Sequence, residues 1–143
     1  MFIGEYRHTL DTKGRLAIPV KFRNALERGA VVTKGIDRCL VLYPLKEWNA
    51  LAERISQLPT SQADTRAFSR MTLASAMDVA CDNQGRIIVP EYLRDYATMH
   101  KNVILAGLYN RIELWDEGVW QEYKTATEEN SGDIAERLST FGV

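Results

Sequence analysis

The sequence predicts an α+β fold, a pseudo-twofold intertwined β-barrel formed by two tandem repeats with flanking helices. The first observation is a repeated segment. Asp11-Thr-Lys-Gly-Arg15-Leu-Ala-Ile-Pro19-Val-Lys-Phe-Arg23 returns as Asp82-Asn-Gln-Gly-Arg86-Ile-Ile-Val-Pro90-Glu-Tyr-Leu-Arg94, with the same Asp, Gly, Arg, Pro and Arg at equivalent places. The second is size: a repeat of about 45 residues has too little interior to be stable alone. Two strand-rich copies in one chain therefore share a core, and hairpins from each pack together. The third is composition. At 143 residues, 45% hydrophobic and 26% charged, the chain fits one compact domain or two very small ones.

In the first copy, Phe2, Gly4, Tyr6, His8 and Leu10 alternate with Ile3, Glu5, Arg7 and Thr9, the period of a half-buried strand. Asp11 to Gly14 are turn residues, and Gly14 can take the positive φ of a tight hairpin. Leu16-Ala-Ile18 is the return strand. Pro19 ends that ladder and suits a first helical turn. Phe22, Ala25 and Leu26 mark one side of a short helix stopped at Gly29. Val31–Thr33 and Leu40–Tyr43 read as two further strands.

From Leu45 the period changes. Leu45, Trp48, Leu51, Ala52, Ile55 and Leu58 recur at threes and fours, an amphipathic helix. Pro59 to Asp64 is a turn, in which Ser61 or Asp64 can cap a second helix over Arg66–Ala76. The second copy then replays the first: strand 77–81, turn 82–85, return strand 87–89, a short helix from Pro90, strands at 103–107 and 112–115, and a helix over 117–127. Residues 131–143 carry only Ile134, Leu138 and Phe141 as a weak pattern, expected to be a mobile tail or a partner-docked helix. The organisation is thus repeat one at 1–48, a helical hairpin at 49–76, repeat two at 77–120 and a C-terminal segment at 121–143.

A formal net charge of −1 averages two unlike halves. Residues 1–48 hold nine basic against five acidic side chains, whereas residues 78–120 hold four against seven. Such asymmetry points to a polyanion-facing side on the first copy. The N-terminal residues turn polar too early for a signal peptide, and no apolar run can span a bilayer, so a cytoplasmic protein with no membrane partner is expected. Cys39 and Cys81 lack paired or metal-binding spacing. His8 and His100 have no second ligand nearby, so structural roles and no metal are expected. Trp48, Trp115 and Trp120 lie at core spacing, and Glu128, Glu129 and Asp133 read as a solvated face. Neither a phosphate-binding glycine loop nor a catalytic constellation occurs, so no cofactor and no enzyme activity are expected.

The doubled Asp-x-x-Gly-Arg segment with its flanking strands and prolines, Leu42-Tyr-Pro-Leu-Lys-Glu-Trp48, and Leu108-Tyr-Asn-Arg-Ile-Glu-Leu-Trp115 resemble the MraZ family. That resemblance covers the chain apart from its C-terminal segment. It implies two AbrB-like swapped-hairpin domains and a ring-shaped homo-oligomer. It also implies a nucleoid-associated transcriptional regulator that binds double-stranded DNA at promoter direct repeats of the division and cell wall gene cluster.

The residue chemistry agrees. Arg15 offers a planar fork that can grip guanine O6 and N7 or clamp a phosphate. Lys13 suits a phosphate, where a point charge suffices. Arg7 is spaced to lie opposite the return strand and add positive field; Thr12 and Gly14 complete the expected DNA-contacting set. Asp11 can orient Arg15. An Asp–Arg brace of the turn is the plainer reading for each copy. It is favoured for Asp82–Arg86, and DNA contact is favoured for Asp11–Arg15. The alternative function is an antitoxin-like or scaffold interaction module in which the C-terminal segment grips a partner.

Overall fold

Apolar alternation, turn glycines and prolines set the elements, and pairing between the two copies sets their arrangement. The computed structural model describes residues 1–143. In chain order the first copy supplies β1 (Phe2–Thr9), β2 (Arg15–Ala17), α1 (Val20–Arg23) continued by a 3-10 turn at Asn24–Leu26, β3 (Ala30–Lys34), β4 (Leu40–Pro44) and α2 (Leu45–Ser56). Helix α3 (Ala63–Ser69) runs into a π turn at Arg70–Ala74. The second copy supplies β5 (Met77–Val79), β6 (Arg86–Ile88), α4 (Glu91–Tyr96), β7 (Asn102–Tyr109), β8 (Ile112–Asp116) and α5 (Glu117–Glu129). Helix α6 (Ser131–Arg137) and a 3-10 turn at Ser139–Phe141 end the chain.

Every strand pair but β3–β4 and β7–β8 joins the two copies. An antiparallel six-stranded sheet runs β1-β7-β8-β4-β3-β5, and β2 pairs separately with β6. Exchanging the copies turns this order into itself read backwards, which is the pseudo-twofold. The central pair β4–β8 and the ribbon β2–β6 straddle the axis: Leu40 faces Leu114 while Leu42 faces Ile112, and Arg15 faces Ile88 while Ala17 faces Arg86. Intertwining is therefore literal. The first strand of each copy lies against the third strand of the other, β1 on β7 and β5 on β3.

Barrel closure is not detected: β1 and β5 are the outer strands of the sheet, and the isolated bridge Leu10↔Leu16 links its end to the ribbon. Pro19 and Pro90 stand two residues beyond β2 and β6, which are three residues each. Strand β1 does not fold back on β2 as an ordinary hairpin; it crosses to β7.

The core is made by equivalent residues from both copies: Leu16 with Ile87, Ile18 with Val89, Phe22 with Leu93, and Leu26 with Ala97, all essentially inaccessible to solvent. Phe22 meets the rings of Phe2 and Tyr6 edge-on at 5.1 and 5.2 Å, which fastens β1 to the short helix. Ala25, expected on the same side, is exposed. The helical hairpin is tied to the sheet by a satisfied buried polar cluster, in which the Thr33 hydroxyl donates to Thr72 O at 2.6 Å and lies 3.0 Å from Ser75 Oγ.

At α3 the structure departs from the expected cap. Gln62 occupies the N-cap position with no side-chain bond to the helix, so neither Ser61 nor Asp64 caps it; Thr65 instead bonds back to Gln62 O. By contrast α5 is capped as its sequence allows, Asp116 Oδ2 accepting from Gly118 N at 3.1 Å and Val119 N at 3.4 Å. Trp115 is buried against the tilted rings of Trp120 and Tyr123, and Trp48 packs on Tyr43. The C-terminal segment is helical and lies exposed, with Phe141 76% accessible. No helix is long and apolar enough to cross a membrane.

Candidate nucleic-acid interface

An aspartate three residues before a turn glycine has a choice of backbone donors, and both copies use it in the same way. Asp11 Oδ1 accepts from Lys13 N and Arg15 N, both at 2.9 Å, while Oδ2 accepts from Arg15 Nε at 2.6 Å. Asp82 Oδ1 accepts from Gln84 N at 2.8 Å and Arg86 N at 2.9 Å, and Oδ2 from Arg86 Nε at 2.9 Å. Main-chain bonds close each loop, Asp11 N to Arg15 O and Asp82 N to Arg86 O. Both carboxyls are held below the ordinary aspartate range, first by the backbone N–H of the arginine four residues on, then with help from its guanidinium and the intervening N–H. Both are thus carboxylates at neutral pH.

The brace expected for Asp82–Arg86 is therefore present in Asp11–Arg15 as well. In each, only Nε of the guanidinium is engaged within the chain, which leaves the two Nη nitrogens for an outside acceptor. The arginine side chains are 34% and 28% accessible.

Each turn is completed by the other copy. Gly14 O accepts from Val89 N at 2.8 Å, and Gly85 O accepts from Ile18 N at 2.9 Å. Both glycines have positive φ, +82° and +76°. A Cβ on Gly14 would stand 2.8 Å from Val89 O and 3.1 Å from Arg94 Nε; one on Gly85 would collide with the Arg23 guanidinium. Arg23 and Arg94 are themselves fixed by donating Nε to Ile18 O and Val89 O. Sequence reasoning gave these two arginines no role. Their identity in both copies was the available signal, and the crossing of the copies explains it: each arginine covers the other copy's glycine.

The ribbon register brings the two turns onto one surface. Leu16 and Ile87 point inward and are buried, so Arg15, Ala17, Arg86 and Ile88 share the outward face. Arg15 and Arg86 then lie diagonally, two residues apart along the ribbon (roughly 7 Å) and one strand apart across it (about 5 Å). Ile88 and Val20 add exposed apolar surface, 60% and 75% accessible.

The other expected contact residues fall unevenly. Lys13 and Thr12 sit exposed at the tip of the first turn, with no side-chain partner within the chain. Gly14 is buried, and its N–H and carbonyl are both satisfied, so it shapes the turn without offering surface. Arg7 does not lie opposite the return strand. On β1 it faces Ile104 of β7, and its guanidinium is paired with Glu117. The reason is the crossing of β1 to the other copy, which carries Arg7 away from β2. His8 is half-buried and held below its ordinary pKa by burial and by the Arg23 charge. Cys39 is buried, its thiol pushed up to about 12 by burial and then by nearby Glu113 and Asp37.

The family model described as "MraZ protein, putative antitoxin-like" matches the chain twice, over residues 1–71 and 72–142. A protein of Pediococcus pentosaceus named "Transcriptional regulator MraZ" is 49% identical over 143 residues, all of both chains. Proteins of the same name from Natranaerobius thermophilus and Caldanaerobacter subterraneus subsp. tengcongensis are 45% and 44% identical, again over the full length of each.

Proposed function

We propose, because the chain belongs to the MraZ family, that it is a sequence-specific DNA-binding transcriptional regulator whose β2–β6 ribbon faces the duplex. One observation carries this reading: the register of that ribbon sets Arg15 and Arg86 on a single outward face, with Lys13 at its tip. A two-stranded ribbon is of a size the major groove admits. Arg15 and Arg86 present free Nη pairs to base edges or phosphates, while Lys13 and Thr12 contact the backbone. Gly14, Asp11 and Asp82 hold the turns in shape. Arg7, neutralised by Glu117, contributes little field there.

One ribbon makes few phosphate contacts and binds feebly at cellular salt. A ring-shaped homo-oligomer on DNA direct repeats multiplies these contacts, so linked ribbons gain avidity without new chemistry. On the family resemblance the operators are repeats ahead of the division and cell wall gene cluster, and the protein works in the cytoplasm at the nucleoid.

The test is a mobility shift on the DNA upstream of its own gene across a salt series. Wild-type protein is expected to lose affinity steeply with salt, and Lys13→Ala to lower the log–log slope by roughly 0.9 for each turn engaged. An unchanged slope removes Lys13 from the interface. A second reading, an antitoxin-like module, is favoured by the wording of the family description and by exposed Leu138, Phe141 and Val143. Affinity for DNA that is weak at all salts, with a protein partner lost on deleting 131–143, supports it instead.

A further inference from the structure

The two turns share one backbone and differ at their tips. Lys13 and Gln84 are equivalent: each donates its N–H to the aspartate two residues before it, at 2.9 and 2.8 Å. Thr12 and Asn83 hold the equivalent place just before them. The first tip is thus Thr-Lys and the second Asn-Gln, held in the same carboxylate cage, each with its glycine covered by an arginine of the other copy. Asn83 and Gln84 are exposed, and neither side-chain amide has a partner in the chain. The ribbon register places their turn at the end opposite the Lys13 turn, with Arg86 and exposed Ile88 on the shared outward face.

We propose that the ribbon divides its labour: the Thr12-Lys13 tip anchors phosphate, and the Asn83-Gln84 tip reads base edges, preferring adenine. This rests on the DNA-binding reading above. A lysine ammonium attracts any phosphate and carries no sequence information. A carboxamide has no net charge to gain from phosphates. Its paired donor and acceptor match adenine N7 and N6 in the major groove, and a neighbouring apolar side chain such as exposed Val20, which lines the same surface hollow as Asn83, matches a thymine methyl. Fixed backbones suit this task, because the Asp82 cage holds Gln84 in place before DNA arrives.

The experiment compares wild-type protein, N83A/Q84A and K13A on two duplexes. One is selected from a random-sequence pool by the wild-type chain, and the other is its shuffled counterpart. Both substituted side chains of N83A/Q84A are exposed and make no intrachain hydrogen bond, and neither position has positive φ, so this variant keeps its fold. Wild-type protein should prefer the selected duplex. N83A/Q84A should lower that preference by roughly tenfold or more with the salt slope unchanged. K13A should lower the slope and keep the preference. Replacing adenines of the selected duplex with 7-deazaadenine should weaken wild-type binding and leave N83A/Q84A indifferent.

If N83A/Q84A discriminates as wild type does, or loses affinity for both duplexes equally, the division of labour is overturned and the DNA reading stands. Indifference of wild-type protein to 7-deazaadenine overturns the adenine assignment. A wild-type chain that enriches no sequence overturns the DNA reading and this inference together.

Discussion

Arg15→Ala is expected to lower affinity for a specific duplex by about 10- to 100-fold for each turn engaged, the range of a lost bidentate arginine contact. The fold should survive. Asp11 Oδ1 keeps its bonds to the N–H of Lys13 and of residue 15, and the main-chain closure from Asp11 N to the residue-15 carbonyl needs no side chain. The loss should therefore appear in binding titrations without a matching change in the thermal transition or oligomer size. Arg15→Lys is the sharper variant. It keeps the charge and forfeits the planar fork, so it should retain salt-dependent attraction while losing sequence preference. Normal operator binding by Arg15→Ala removes this residue from the interface.

Gly107→Ala is expected to destabilise the chain by about 3 kcal/mol, at the upper end for overpacking. Gly107 faces Gly4 across the β1–β7 pairing. A Cβ there would stand 2.6 Å from Ile3 N and 2.7 Å from Phe2 C, main-chain atoms that cannot swing aside. Relief requires β1 to lift from β7, which withdraws Phe2 from the core and loosens the Phe2 and Tyr6 contacts on Phe22. Denaturant unfolding measures the effect. Gly132→Ala, with no atom within 4 Å of the added methyl, should shift the same transition little. Equal midpoints for Gly107→Ala and wild type contradict the pairing of β1 with β7.

Much of this fold could be read from local chemistry. The repeated Asp, Gly, Arg and Pro mark turns and strand ends directly, and the change from period two to threes and fours at Leu45 locates α2. Alternation also placed Phe2 and Leu10 inward correctly. What it could not supply was partnership. A period of two assigns a face to β1 but is silent on whether β2 or β7 lies beside it. The swapped answer depends on contacts a hundred residues away, such as Gly4 with Gly107.

The position expected for Arg7 fails through that gap, because spacing along one strand sets it opposite β2 only where β1 pairs with β2, and β1 pairs with β7. The cap of α3 was missed for a different reason: Ser61 and Asp64 are good capping residues, but Gln62 occupies the boundary and the hydroxyl of Thr65 meets the turn instead. At the site, the Asp–Arg spacing revealed the brace. It could not reveal that both braced arginines share one outward face, since that is a property of the β2–β6 register.

Covalent labelling of lysine and arginine side chains, read by mass spectrometry with and without bound duplex, tests a DNA-facing ribbon most directly. A ribbon seated on the duplex predicts that Lys13, Arg15 and Arg86 lose reactivity when DNA is bound. Unchanged labelling of all three on a chain saturated with duplex contradicts it.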